Sequence, residues 1–350
     1  MKKLWAMVTA GAMVLSLAAC GGAPASGGEN AGAEAGDGAG YRIGFTDNYN
    51  GNSYHQAMER YMEEVADELI AAGEMSELTI VQANQDAATQ ISQIEDFITQ
   101  GYDLIVIDPC STSSLNNAVQ EACDAGIPCL IINDGPIDFE HELVYQLNFD
   151  FRDLAQTLTE YVCEAIGGEG KIIELRGTAG TTCDTEMHQG VLDALEKYPN
   201  VEIAAEIYTD WTGSKAQTEL NSVLPTLDTV DGLVTQGGDA YAAVQAFRSA
   251  GYTELPVIAG DNRGYFINWW NNEAPEGYDT ISGACNPWDG AMAMYIAVDI
   301  LNGEQVVNNM NCPFGYITKE NVGEYTDLAD EDVAAANYDW DTIRNEIEKG

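Results

Sequence analysis

From Tyr41 onward the chain alternates short, wholly apolar runs with longer segments whose apolar residues recur every three or four positions. Tyr41 to Thr46, Leu78 to Gln82, Leu104 to Ile107 and Cys129 to Ile132 read as strands. Between them, Met58, Tyr61, Met62, Val65, Leu69 and Ile70 share one face of a helix, and Ile91, Ile94, Phe97 and Ile98 share another. Leu115 to Ala125 is a third helix, stopped by Gly126. Apolar strands separated by amphipathic helices predict a parallel sheet covered on both faces. The pattern then restarts, with strands at Lys171 to Leu175, Val201 to Tyr208, Gly232 to Thr235 and Val257 to Ala259.

A short internal echo links the two stretches. Ala118-Val119-Gln120, Ala125-Gly126 and Pro128 recur as Ala243-Val244-Gln245, Ala250-Gly251 and Pro256, and the strand after each copy is followed by an acid, Asp134 or Asp261. The expected fold is therefore α/β, two similar doubly wound parallel-sheet lobes. In such sheets ligands bind beyond the carboxyl ends of the strands, so two facing lobes place their strand-end loops around one cleft.

The first residues break the pattern. Met1-Lys2-Lys3 precedes an apolar run from Leu4 to Leu17, which is short for a membrane span of about 20 residues and suits an export signal. Leu17-Ala18-Ala19-Cys20 resembles the lipobox of bacterial lipoproteins, which implies a signal peptide over 1–19 and diacylglyceryl attachment at Cys20. Residues 21–40 hold Gly, Ala, Ser, Glu, Asn, Asp and one Pro, too little apolar surface to order them, and read as a tether. An extracytoplasmic protein held to the membrane by lipid is expected, and a Gram-positive cell fits it best.

The formal charge of −43 excludes nucleic acid and anionic lipid as partners. The eight cysteines lack CxxC spacing, so a zinc site is not expected; Cys129 and Cys285 lie in apolar runs and read as buried thiols. Only His55, His141 and His188 are available as bases, no GxSxG elbow occurs, and Gly177-Thr178-Ala179-Gly180-Thr181-Thr182 lacks the Lys of a P-loop. No enzyme, cofactor or metal is expected.

The strand-end segments run Asp47 to His55, Asn133-Asp134, Gly177 to Thr182 with Thr185 beyond, Thr209-Asp210-Trp211, Gln236-Gly237-Gly238-Asp239 and Asp261-Asn262-Arg263. Carboxylates, amides and aromatics suit a polyhydroxylated neutral molecule: carboxylates accept from hydroxyls, and flat rings pack on a sugar's C–H face. Leu175-Arg176-Gly177-Thr178-Ala179-Gly180-Thr181 is close to the L-x-G-T-A-G-T run of ribose-binding proteins, and the body resembles the periplasmic sugar-binding proteins of ABC transporters over nearly all of residues 41–347.

That resemblance implies a ligand site at Asn52, Tyr54, His55, Asp134, Thr185, Trp211, Asp239, Asp261 and Asn286. Tyr54 and Trp211 would stack on the ring and the aspartates Asp134 and Asp261 would hold hydroxyls. It also implies three crossings, near Asn148 to Asp150, Ala284 to Asn286 and Asn311 to Pro313. These divide the body into 41–148 plus 286–312 and 149–285 plus 313–350, with closure on the ligand. Gly135 and Thr185 stand where ribose binders carry arginines, and His55 is positioned to replace one of them. A monomer delivering a sugar to an ABC permease is the leading reading. A receptor for a nucleoside or signalling molecule, or a sensor for a membrane kinase, are its rivals.

Overall fold

The structure, a computed structural model, describes residues 40–326 and 328–350. The signal, Cys20 and all of the tether up to residue 39 lie outside the described residues. No described helix is long and apolar enough to cross a membrane.

Chain order begins β1 (Tyr41–Asp47), α1 (Ser53–Ala72), β2 (Met75–Gln82), α2 (Ala87–Gln100), β3 (Leu104–Ile107), α3 (Asn116–Asp124), β4 (Cys129–Asn133) and β5 (Val144–Asn148). A second series follows: α4 (Phe151–Ala165), β6 (Glu169–Arg176), α5 (Thr182–Lys197), β7 (Asn200–Tyr208), α6 (Gly213–Val223), β8 (Gly232–Thr235), α7 (Ala240–Ser249), β9 (Val257–Ile258) and α8 (Gly264–Asn272). The chain ends with β10 (Ser282–Ala284), α9 (Asp289–Asn302), β11 (Asn309–Asn311), β12 (Gly315–Ile317) and a short terminal helical segment.

Two parallel sheets result, ordered β11-β5-β4-β3-β1-β2 and β7-β6-β8-β9, while β10 and β12 pair antiparallel. The strand sequence of the second repeats the first, with β6 in the place of β1 and β9 in the place of β4. The internal echo thus marks equivalent helices. Gly126 and Gly251 follow α3 and α7 at φ 80° and 86°, a left-handed turn that glycine adopts without strain and that points the chain into the next strand.

Alternation along each strand supplies two cores per sheet. Leu104 and Val106 face α1 and α9 with Ile43, Phe45 and Met58, whereas Ile105 and Ile107 face α2 and α3 with Ile94 and Phe97. Ile173, Leu175 and Leu233 likewise meet α6, α7 and α8, and Ile172 and Val234 meet α4 and α5. Burying strands on both faces is what made their sequences continuously apolar.

The C-terminal segment departs from the expected division. Ala334 still packs with the second lobe, but Tyr338, Trp340, Ile343 and Ile347 join the core around α1 and α9. The reason lies in Asp299 of α9, which is wholly buried and takes hydrogen bonds from Trp340 Nε1 at 2.7 Å, Arg344 Nε at 2.7 Å and Arg344 Nη2 at 2.5 Å. The last residues therefore belong with the first lobe, and the chain passes between lobes a fourth time.

Candidate functional site

The carboxyl ends of the strands of both sheets surround a cavity of about 500 Å3. Residues from both lobes line it, among them Asn52, Tyr54, His55 and Asp134 from the first and Trp211 and Asp261 from the second. Six of the nine residues expected at the site are thus brought together.

In the first lobe, Asn52 caps α1, its Oδ1 accepting from His55 N at 3.0 Å. That cap fixes the first turn and sets Tyr54 and His55 at the cavity wall. The Tyr54 hydroxyl donates to Asp289 Oδ2 at 3.0 Å, so the ring, rather than the hydroxyl, is offered to a ligand. His55 is turned into the protein: Nδ1 lies 3.2 Å from Asp47 Oδ1 and 3.4 Å from Asp108 Oδ2, and Nε2 is 3.5 Å from Asn133 Nδ2. Burial opposes its charge, but the hydrogen bond and charge of Asp47, with Asp134 and Asp289 nearby, raise its pKa above the usual value. Both ring nitrogens of His55 thus lie beside protein groups, while the residue still lines the cavity.

Asp134 has open surface onto the cavity while protein surrounds it on either side. Its Oδ2 accepts from Asn48 Nδ2 at 3.0 Å. The surrounding protein pushes its carboxyl up, with His55 pulling the other way. Asp108 beneath it is wholly buried, and burial together with Asp134 and Asp47 raises it well above the carboxylate range.

In the second lobe, Trp211 adopts a left-handed backbone, φ 53°, and its ring covers Gly177, where an added Cβ would fall 2.1 Å from the indole. A Cβ on Gly238 would fall 2.4 Å from Trp211 O. Two glycines therefore seat this tryptophan. Asp261 accepts from Ala240 N at 3.1 Å and Arg263 N at 3.3 Å. Arg263 crosses the cleft, donating from Nη1 to Ser53 Oγ at 3.1 Å.

Three expected residues stand apart from the cavity wall. Thr185 is exposed, its hydroxyl donating to Thr181 O at 2.9 Å within α5. Asn286 is wholly buried and ties the crossing to Ala336, donating to its carbonyl at 2.7 Å and accepting from its N–H at 3.2 Å. Asp239 lies behind the wall, accepting from the Thr235 hydroxyl, and burial pushes its carboxyl up to about 7. Conversely, Asp108 and Asp289 fall outside the expected strand-end segments, and Asp47 and Arg263 fall inside them without an expected role. Asp108 ends β3, so the strand-end rule that selected Asp134 would have selected it too.

Ligand atoms of Asp47, His55 and Asp108 lie within 4.8 Å of one another, as do those of Glu174, His188 and Glu206. In each group the histidine already pairs with a carboxylate, His55 Nδ1 with Asp47 and His188 Nδ1 with Glu174 Oε2 at 2.9 Å, while Glu206 accepts from Arg176. A hollow of about 520 Å3 on the far side of Trp211 and Asp261 is lined by the second lobe alone, and lacks the two-sided enclosure of the cleft.

The profile of the periplasmic binding protein domain matches residues 43–305. The xylitol-binding protein of Mycolicibacterium smegmatis is 28% identical over 264 residues, covering 74% of this chain and 70% of that protein. The ribose import binding protein of Bacillus subtilis is 23% identical over 244 residues, covering 69% and 77%. The crystal structure of an ABC transporter solute binding protein from Thermobispora bispora superposes with a TM-score of 0.74 at 28% identity, over 88% of this chain and 95% of that one.

Proposed function

Since the chain belongs to the periplasmic binding protein domain family, a family of solute receptors rather than enzymes, we propose that its cleft captures a sugar or polyol and delivers it to an ABC importer. The observation that carries this reading is the two-sided cavity, with the Tyr54 and Trp211 rings among its walls and Asp134 and Asp261 at their strand ends. Rings supply flat apolar contact, and carboxylates supply acceptors whose desolvation penalises ligands that lack donors, by about 1–3 kcal/mol for each group left unpaired. The names of the xylitol- and ribose-binding relatives support the same solute class.

The receptor acts outside the cytoplasm, tethered by a diacylated Cys20. Mass spectrometry of membrane-extracted protein tests this: a mature chain beginning at lipid-modified Cys20 supports the anchor, and an unmodified chain beginning at Met1 contradicts it. Thermal melts against a panel of pentoses, hexoses and alditols test the solute class. A rise in melting temperature with a member of the panel is expected; stabilisation by nucleosides or amino acids alone would sink the sugar assignment.

A further inference from the structure

Building on the reading of the cleft as a solute site, we infer that the solute carries a protonated amine held by Asp134, and so is an amino sugar or aminated polyol.

The charges around the cavity do not balance. On the first-lobe side, Asp47 and Asp108 converge on His55 at 3.2 and 3.4 Å, Asp289 lies under the Tyr54 hydroxyl, and Asp134 faces the opening. Against these four carboxylates stands one imidazole, with no Lys or Arg of the first lobe among the lining residues. On the other side Asp261 and the buried Asp239 meet one guanidinium, Arg263, which already reaches Ser53. Burial raises the carboxyls of Asp108 and Asp289, and the protein around Asp134 raises it too, the response of acids that lack a cationic partner.

Hydrogen-bonding capacity is unbalanced in the same sense. Asn48 lines the cavity and is nine-tenths buried; its Nδ2 donates to Asp134 Oδ2, but its Oδ1 accepts nothing. A hydroxyl brings an acceptor with each donor, whereas an ammonium brings three donors and no acceptor. A cation therefore satisfies what this wall has in surplus.

Asp134 is the anchor by elimination. Asp47, Asp108 and Asp289 are buried, Asp261 already accepts two backbone N–H groups, and Asp210 pairs with Lys215 at 2.6 Å. Asp134 alone among these keeps open surface with no Lys or Arg paired to it, and one of its carboxylate oxygens has no protein donor.

Calorimetric titration of the mature chain with matched pairs decides the matter: glucose and glucosamine, galactose and galactosamine, xylitol and 1-amino-1-deoxyxylitol. N-acetylglucosamine serves as a bulky uncharged control. At least one amino member is expected to bind tenfold or more tighter than its neutral partner, and Asp134→Asn should bring that ratio to within about twofold. Neutral members binding as tightly, or an amine preference surviving Asp134→Asn in a variant that melts like the parent, overturns the inference and leaves the solute reading standing. If no member of either set binds, both fall.

Discussion

Asp289 and Asp239 each sit buried behind the cleft, one under the Tyr54 hydroxyl and one under that of Thr235, and burial pushes both carboxyls up to about 7. Their unfolded value is 3.8, so between 3.8 and about 7 the folded chain holds protons that the unfolded chain has released. Stability then falls as pH rises through that window, by up to about 1.4 kcal/mol per pH unit for each group. His55 adds to the trend: a base raised in the folded state contributes stability below its unfolded value and loses it as pH climbs through the folded one. Urea unfolding should accordingly give a higher midpoint at pH 5 than at pH 7.5. Asp289→Asn keeps an acceptor for Tyr54 but cannot titrate, and should shrink that difference; an unchanged difference would show that Asp289 is ionised in the folded chain.

At the scale of elements, the lobes are held by helices that pass close together because glycine permits it. A Cβ at Gly190 of α5 would lie 2.1 Å from Arg152 O of α4, and one at Gly290 of α9 would lie 2.3 Å from Met58 O of α1. Gly190→Ala should therefore lower stability by about 1–3 kcal/mol, read from chemical unfolding, as the helices are forced apart. Loss below about 0.5 kcal/mol would mean that the α4–α5 contact yields freely. Neither glycine stands out in the sequence, since a close crossing depends on a partner distant along the chain. The strands from β1 to β4 and β6 to β9 were legible because burial on both faces leaves them apolar. β5 was not, because Gln146 interrupts its pattern to accept from Ile137 N at 2.9 Å, and β10 to β12 are too short to carry one.

For the whole molecule, the two-lobed plan was legible from the restarted pattern and the echo, and six cleft residues followed from the strand-end rule. The rest was hidden for a physical reason: it depends on contacts between distant segments. Asn286 reads as a polar ligand-facing residue but is consumed by the crossing to Ala336, and Thr185 turns its hydroxyl into its own helix. The return of the C-terminus to the first lobe depends on the buried Asp299, which nothing in the local sequence announces. Arg263 reaching Ser53 links the lobes across the cleft, so the bound solute and this bond close the same gap. Trp211, seated on Gly177 from the second lobe, is the side chain on which capture from that side depends. The most direct measurement is calorimetric titration of the best-binding sugar or polyol into the parent chain and Trp211→Ala, with melting curves of the unliganded proteins as a check on folding. Affinity at least tenfold weaker in a variant that melts normally is predicted. Equal affinity in the two proteins would contradict a solute held between the lobes.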